Sequence, residues 1–104
     1  MIRITVSYPN KDGAHFNHAY YQNEHAALVR QELGPRGMVR FEIDEVLSDE
    51  SGKNKPIIAA AHIFFEDIKT FQAAMSAAGP ALEADGPNYT NVIPTLLISR
   101  SISA

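Results

Sequence analysis

Residues 16–29, FNHAYYQNEHAALV, carry the strongest helical pattern in the chain. When the residues are plotted at about 100° each, one broad face collects apolar side chains together with a single histidine. The members of that face are Tyr21, His25, Leu28, Val29 and Leu33. Asn17 fits the N-cap position, and Phe16 with Tyr21 fits a hydrophobic staple across it. The sequence therefore predicts a packed helix with His25 in the middle of its buried face.

Four segments around this helix have strand patterns. Ile2–Tyr8 alternates apolar and polar residues, and Pro56–Phe65 is apolar on both faces, as in the interior of a sheet. Met38–Leu47 alternates as well, and Val92–Ser101 is rich in Ile, Leu and Thr. We expect the inward side chains of the Met38–Leu47 segment to be Val39, Phe41, Ile43 and Leu47.

Glycine–proline pairs mark the helix ends. Gly34-Pro35 predicts the end of the first helix, with Gly34 in the left-handed conformation. Asp67 caps a second helix, and Gly79-Pro80 predicts a break or kink in it, after which residues 81–85 resume as a short turn.

The resulting order is β-α-β-β-α-β, which predicts one domain over residues 1–104 with a ferredoxin-like α+β fold. Its four-stranded antiparallel sheet has both helices on one face. The other face stays uncovered and mixes charged with apolar residues, so we expect a homodimer formed through the sheet faces.

Composition argues against several classes of protein. The net charge is -3 and the basic residues are scattered, so nucleic acid is not expected as a partner. The chain has no cysteine, which fits a reducing, cytoplasmic setting, and no membrane-spanning or signal segment is expected. Glycine-rich nucleotide-binding motifs are lacking, and His15 and His18 lack the partners of a metal site, so neither cofactor nor metal is expected.

The pattern Phe16-x-x-x-Tyr20-Tyr21-x-x-x-His25, after a Ser7-Tyr8-Pro9 turn, resembles the EthD family, named for ethyl tert-butyl ether degradation. Segments 61–65, 71–74 and 87–91 are also similar to that family. The resemblance implies a dimeric α/β-barrel of two ferredoxin-like chains, each with a cleft between sheet and helices. The wider superfamily includes cofactor-free monooxygenases, cyclases, isomerases and binding proteins, so the fold does not fix the function.

His25 is the first candidate for catalysis, because histidine transfers protons near neutral pH. Tyr21, one turn earlier, could bond to it or to a ligand. His62 has two possible positions: facing the helices, it would pair with His25, and facing outward, it would be an interface residue. The expected ligand-binding side chains are Tyr20, Leu28, Phe64, Phe71, Met75, Tyr89 and Asn91.

Two functions remain open. The first is cofactor-independent acid–base chemistry on an apolar or aromatic metabolite, by dehydration, decarboxylation, isomerisation or oxygenation, with His25 moving the proton. The second is a non-catalytic carrier or accessory protein that binds such a compound for a separate oxygenase.

Overall fold

The computed structural model describes the whole chain, Met1–Ala104. Its four strands are β1 (Ile2–Pro9), β2 (Arg40–Glu45), β3 (Ile57–Phe65) and β4 (Thr95–Arg100). They form one antiparallel sheet in the order β2-β3-β1-β4. The predicted ferredoxin-like βαββαβ fold is confirmed, and β3 is an interior strand as its apolar composition predicts.

Two long helices connect the strands. The first, α1, starts as an α-helical turn (His18–Tyr20), continues as a π-helical segment (Tyr21–His25) and ends as an α-helix (Ala26–Leu33). The second, α2, spans Ile68–Asp85. The predicted caps are confirmed, since the side chains of Asn17 and Asp67 accept hydrogen bonds from the backbone N–H groups of Tyr20 and Thr70.

The strand register divides the sheet into an inner face, packed by the helices, and an outer face. Ile4 lies opposite Ile63 on one side and Ile98 on the other, and all three point inward. Thr5 lies between His62 and Leu97 on the outer face. The inner face and both helices share one core, whose buried members are Ile4, Val29, Leu33, Ile63, Phe65, Phe71, Ala74 and Ala78.

The first helix ends at Leu33, next to the Gly34-Pro35 pair as predicted, but Gly34 is not left-handed. Gly34 keeps right-handed helical dihedrals and opens a short 3₁₀ turn, Gly34–Arg36. Gly37 takes the left-handed position instead, with φ of 103°. A Cβ atom there would lie 2.6 Å from Cγ2 of Thr70 in α2, so glycine is required both by the dihedral angle and by the close approach.

The predicted break at Gly79-Pro80 is wrong, because α2 runs through Pro80 as one helix to Asp85. An interior proline removes one backbone hydrogen bond and costs about 3 kcal/mol. Packing of the helix outweighs that cost, since Ala74, Ala78 and Gly79 are all buried.

Two strands are shorter than predicted. β2 starts at Arg40 and ends at Glu45, so Val39 and Leu47 fall outside it and are exposed rather than inward-facing. β4 begins at Thr95, after a loop. No helix of the structure is long and apolar enough to cross a membrane.

Candidate functional site

A cleft of about 670 Å³ lies between the inner face of the sheet and the two helices. Its floor is formed by side chains of the sheet, namely Val6, Tyr8, Phe41, Ala61 and Ile63. Its walls come from the helices and include Tyr21, His25, Val29, Met75, Leu82 and Glu83. Residues of the loop between α2 and β4, among them Tyr89, Asn91 and Val92, close one end. The cleft is thus mostly apolar, with a few polar groups.

His25 is held by a carboxylate from the end of the other helix. Its Nδ1 lies 2.8 Å from Oδ2 of Asp85, the last residue of α2. The histidine is buried and the aspartate side chain is 13 % exposed, so the contact is largely shielded from water. The end of α2 therefore positions the ring of His25.

The contact with Asp85 determines which nitrogen of His25 carries a proton. A carboxylate accepts hydrogen bonds, so Nδ1 must donate one, and in the neutral ring the lone pair then lies on Nε2. Nε2 makes no hydrogen bond within the chain, yet it is not among the fully buried unpaired atoms. Because His25 lines the cleft, Nε2 is available to a bound molecule.

Asp85 is fixed by two further donors. The hydroxyl of Tyr20 donates to its Oδ1 at 2.7 Å, and the side-chain amide of Asn88 donates to the same oxygen at 2.9 Å. Burial by itself would raise the pKa of Asp85, but the hydrogen bonds from Asn88, His25 and Tyr20 outweigh burial and lower it. The lowered pKa keeps the carboxyl of Asp85 charged at neutral pH.

The π-helical segment sets the angle of the His25 ring. Within it the N–H of Ala26 bonds to the carbonyl of Tyr21, five residues earlier, which widens the helical turn. The rings of Tyr21 and His25 stack with centroids 5.2 Å apart and planes 13° apart. The ring of Tyr89 also contacts His25, with centroids 4.6 Å apart, and lies 4.9 Å from the ring of Tyr21. Two aromatic rings thus restrict rotation of the imidazole.

Three tyrosines form a polar cluster inside the otherwise apolar cleft. The hydroxyls of Tyr8 and Tyr89 are 2.8 Å apart and hydrogen-bonded, and Tyr8 packs edge-on against Tyr21. Burial raises the pKa of all three phenols, so they stay neutral at physiological pH. In the Tyr8–Tyr89 bond one hydroxyl donates its only proton to the other, which leaves the accepting hydroxyl with a proton that it can donate to a ligand oxygen.

Several hydrogen bonds join the loop after α2 to the segment that precedes α1. The side-chain oxygen of Asn91 accepts from the backbone N–H of His15, and its amide donates to the carbonyl of Gly13. The hydroxyl of Thr90 donates to the carbonyl of His15. The carbonyl of Tyr89 accepts from the backbone N–H of Asn17 at 2.8 Å. These bonds fix the loop that lines this end of the cleft.

Comparison with known proteins gives the family. Residues 12–92 match the model of the EthD domain. The chain belongs to the EthD family. An EthD-like protein of Ralstonia eutropha JMP134 shares 31% sequence identity with it, and the alignment covers 94% of this chain and 88% of that chain with a TM-score of 0.87.

Other solved structures share the EthD fold. An ethyl tert-butyl ether degradation (EthD) family protein of Bacillus halodurans C-125 is 19% identical, covers 98% of this chain and 99% of that chain, and has a TM-score of 0.77. A protein of Arabidopsis thaliana is 10% identical over 100% of this chain and 98% of that chain, with a TM-score of 0.71. A search of curated proteins gave no match.

Several side chains that the sequence singles out do meet in the cleft of this EthD protein. Tyr21 and His25 share a buried wall, and Met75, Tyr89 and Asn91 also line the cleft.

Four others do not line it. Leu28 lies outside the lining, and Phe71 is in the core against Phe65. Phe64 points to the outer face, where its neighbours on the adjacent strands are Arg3 and Arg40. The guanidinium of Arg40 lies over the ring of Phe64. Tyr20 does not line the cleft, but its hydroxyl donates a hydrogen bond to Asp85, which contacts His25.

His62 does not pair with His25. It lies opposite Thr5 and Glu42 on the outer face, and its Nε2 is 2.7 Å from Oδ2 of Asp44. The alternative in which both histidines face the helices is therefore wrong. Strand parity is the reason, because adjacent residues of β3 point to opposite faces and Ile63 takes the inward position.

Sequence reasoning missed Asp85, Glu83 and Tyr8 as site residues. The sequence predicts a short turn for Asp85 after a break or kink, whereas Asp85 is the last residue of the continuous helix α2, which brings it to His25. One feature of the sequence could have pointed to Asp85. A negative charge at the C-terminal end of a helix is unfavourable, so an aspartate there suggests a specific partner. No group of three metal-ligating side chains is found in the structure.

Proposed function

We propose that this EthD protein catalyses a cofactor-independent proton transfer on an apolar or aromatic metabolite bound in the cleft, with His25 as the base. One observation carries the proposal. Nδ1 of His25 lies 2.8 Å from the carboxylate of Asp85, while Nε2 is unbonded in a cleft large enough for a small molecule. A base oriented by a carboxylate is the usual arrangement in enzymes that transfer protons through histidine.

The proposed step needs no other reactant. Nε2 takes a proton from a C–H or O–H bond of the ligand, and the electron pair of that bond stays on the ligand, delocalised toward an oxygen. The carboxylate of Asp85 stabilises the imidazolium that forms. The imidazolium then returns the proton, either to another carbon, which gives isomerisation, or to a departing hydroxyl, which gives dehydration.

The lining of the cleft suits an apolar or aromatic ligand. Its lining is predominantly apolar, with the rings of Tyr8, Tyr21 and Tyr89 beside His25. Neutral phenols can donate to a carbonyl or hydroxyl oxygen, and the aromatic faces suit a flat ring.

A carrier or accessory protein is the second candidate, since the same lining would hold an apolar compound without changing it. In that case His25 and Tyr21 would anchor the ligand by hydrogen bonds only. The two candidates differ in whether proton exchange is accelerated.

Exchange of the acidic C–H protons of 2-tetralone, followed by NMR in D₂O, distinguishes them. The wild-type protein should accelerate exchange over buffer, and His25→Ala should reduce the acceleration by about 10²- to 10⁴-fold. His18→Ala is the matched control, because His18 lies on the same helix but does not line the cleft. Weakened affinity in His25→Ala with no acceleration by either protein would support the carrier instead.

We also propose that the outer face of the sheet joins two copies of the chain. Both helices pack on the inner face, so no element of the chain covers the outer one. Leu97 points outward from the edge strand β4 and is 66% exposed. A second copy is the simplest cover for such a surface.

A further inference from the structure

The charged groups around the cleft are mainly acidic. Glu83 of α2 lines the cleft, and its exposed side chain makes no hydrogen bond or ion pair within the chain. Asp85 contacts Nδ1 of His25. No lysine or arginine lines the cleft. Apart from Glu83, the titratable side chains of the lining are three tyrosines and two histidines, His15 and His25.

These charges act unequally on ligands of different charge. A carboxylate or phosphate entering the cleft would lose much of its hydration and would meet no fixed cation to replace it. It would also be repelled by the carboxylate of Glu83, which is exposed and partly screened by water, and by the mostly buried carboxylate of Asp85. A neutral molecule with a hydroxyl or carbonyl group suffers neither cost.

We infer that the cleft selects neutral ligands over anionic ones, and that Glu83 is a specificity-determining residue which disfavours anions. The inference rests on the proposed function, and it narrows the substrate class to uncharged aromatic or alicyclic alcohols, phenols and ketones. Decarboxylation, which begins from a carboxylate, is then the least suited of the acid–base reactions considered for this fold. Dehydration and isomerisation start from neutral compounds and remain suited.

The test compares two probes of nearly equal shape, 2-naphthol and 2-naphthoate, by isothermal titration calorimetry at pH 8. The wild-type protein should bind 2-naphthol at least about tenfold more tightly than 2-naphthoate. Glu83→Gln should bind 2-naphthoate about three- to tenfold more tightly than wild type does, with little change for 2-naphthol.

Glu50→Gln is the control for net charge, because it removes the same charge from an exposed loop outside the cleft. It should behave as wild type. Equal binding of the two probes by wild type, or equal effects of Glu83→Gln and Glu50→Gln, would overturn the inference. Binding of neither probe would contradict both the inference and the proposed ligand class.

The calorimetry is separate from the exchange assay, so the two proposals can fail independently. A preference for 2-naphthol without accelerated exchange of 2-tetralone would contradict catalysis but support the selection of neutral ligands. Accelerated exchange together with equal binding of both probes would contradict only the selection.

Discussion

His25 and Asp85 are separated by 60 positions in the chain, and Nδ1 of the one lies 2.8 Å from Oδ2 of the other. The histidine comes from the π-helical segment of α1, and the aspartate is the last residue of α2. Their contact joins the two helices at the cleft and leaves Nε2 of His25 without a hydrogen-bond partner in the chain.

Asp85→Asn should reduce the acceleration of 2-tetralone exchange by about 10²- to 10⁴-fold. The amide has nearly the same shape, but it can present its NH₂ group to Nδ1 and so favour the tautomer with the proton on Nε2. The measurement is the exchange rate in D₂O, with circular dichroism to verify the fold.

The second histidine–aspartate pair offers a matched control for this substitution. Asp44 contacts His62 at 2.7 Å on the outer face, away from the cleft. Asp44→Asn should leave the exchange rate near that of wild type. Equal losses in Asp44→Asn and Asp85→Asn would show that the effect does not come from the cleft.

Stability should depend on pH through Asp85. Its pKa is lowered in the folded protein, so the folded state favours the charged carboxylate. This stabilisation is present above the ordinary aspartate pKa of about 3.9 and is lost as the pH falls through the lower folded value. The difference in melting temperature between wild type and Asp85→Asn should therefore shrink from pH ~5 to pH ~2.5. A difference that grows toward acid pH would contradict this assignment.

Two glycine substitutions test which glycine after α1 takes the left-handed conformation. Gly34→Ala should be neutral or stabilising by up to about 1 kcal/mol, because Gly34 has helical dihedrals and open space around it. Gly37→Ala should destabilise by about 1–3 kcal/mol, because Gly37 has φ of 103° and approaches Thr70. Urea denaturation of both variants gives the comparison, and equal effects would contradict it.

Leu97→Arg should convert the proposed dimer to a monomer. The substitution puts a charge on the outer face of β4, so two facing copies would each bury an unpaired cation. Light scattering at micromolar concentration should give the dimer mass for wild type and the monomer mass for the variant. Ile102→Arg, beyond the end of β4, is the control. A monomeric wild-type protein would contradict the proposed pairing.

Much of the fold could be predicted from sequence because local patterns determine it. The alternation in β1, the apolar run of β3 and the caps Asn17 and Asp67 each depend on a few neighbouring residues. The errors occurred where packing overrides local preference. Pro80 remains inside α2 because the helix is packed on both sides of it, and a proline by itself cannot indicate this.

The site was less predictable than the fold. The position of His25 on the buried face followed from helical periodicity, but its partner lies 60 residues away. The outward position of His62 depends on strand register, which one residue of error reverses. The π-helical segment, which stacks Tyr21 on His25, departs from the regular helix that periodicity assumes.

The most direct test of the account is the tautomer of His25, measured by two-bond ¹H–¹⁵N NMR correlation of the imidazole ring. We expect the neutral form of the ring to carry its proton on Nδ1 and to leave Nε2 unprotonated, and we expect Asp85→Asn to lose that preference. A ring protonated on Nε2 in the wild-type protein would contradict the account, because no lone pair would then face the cleft to accept a proton.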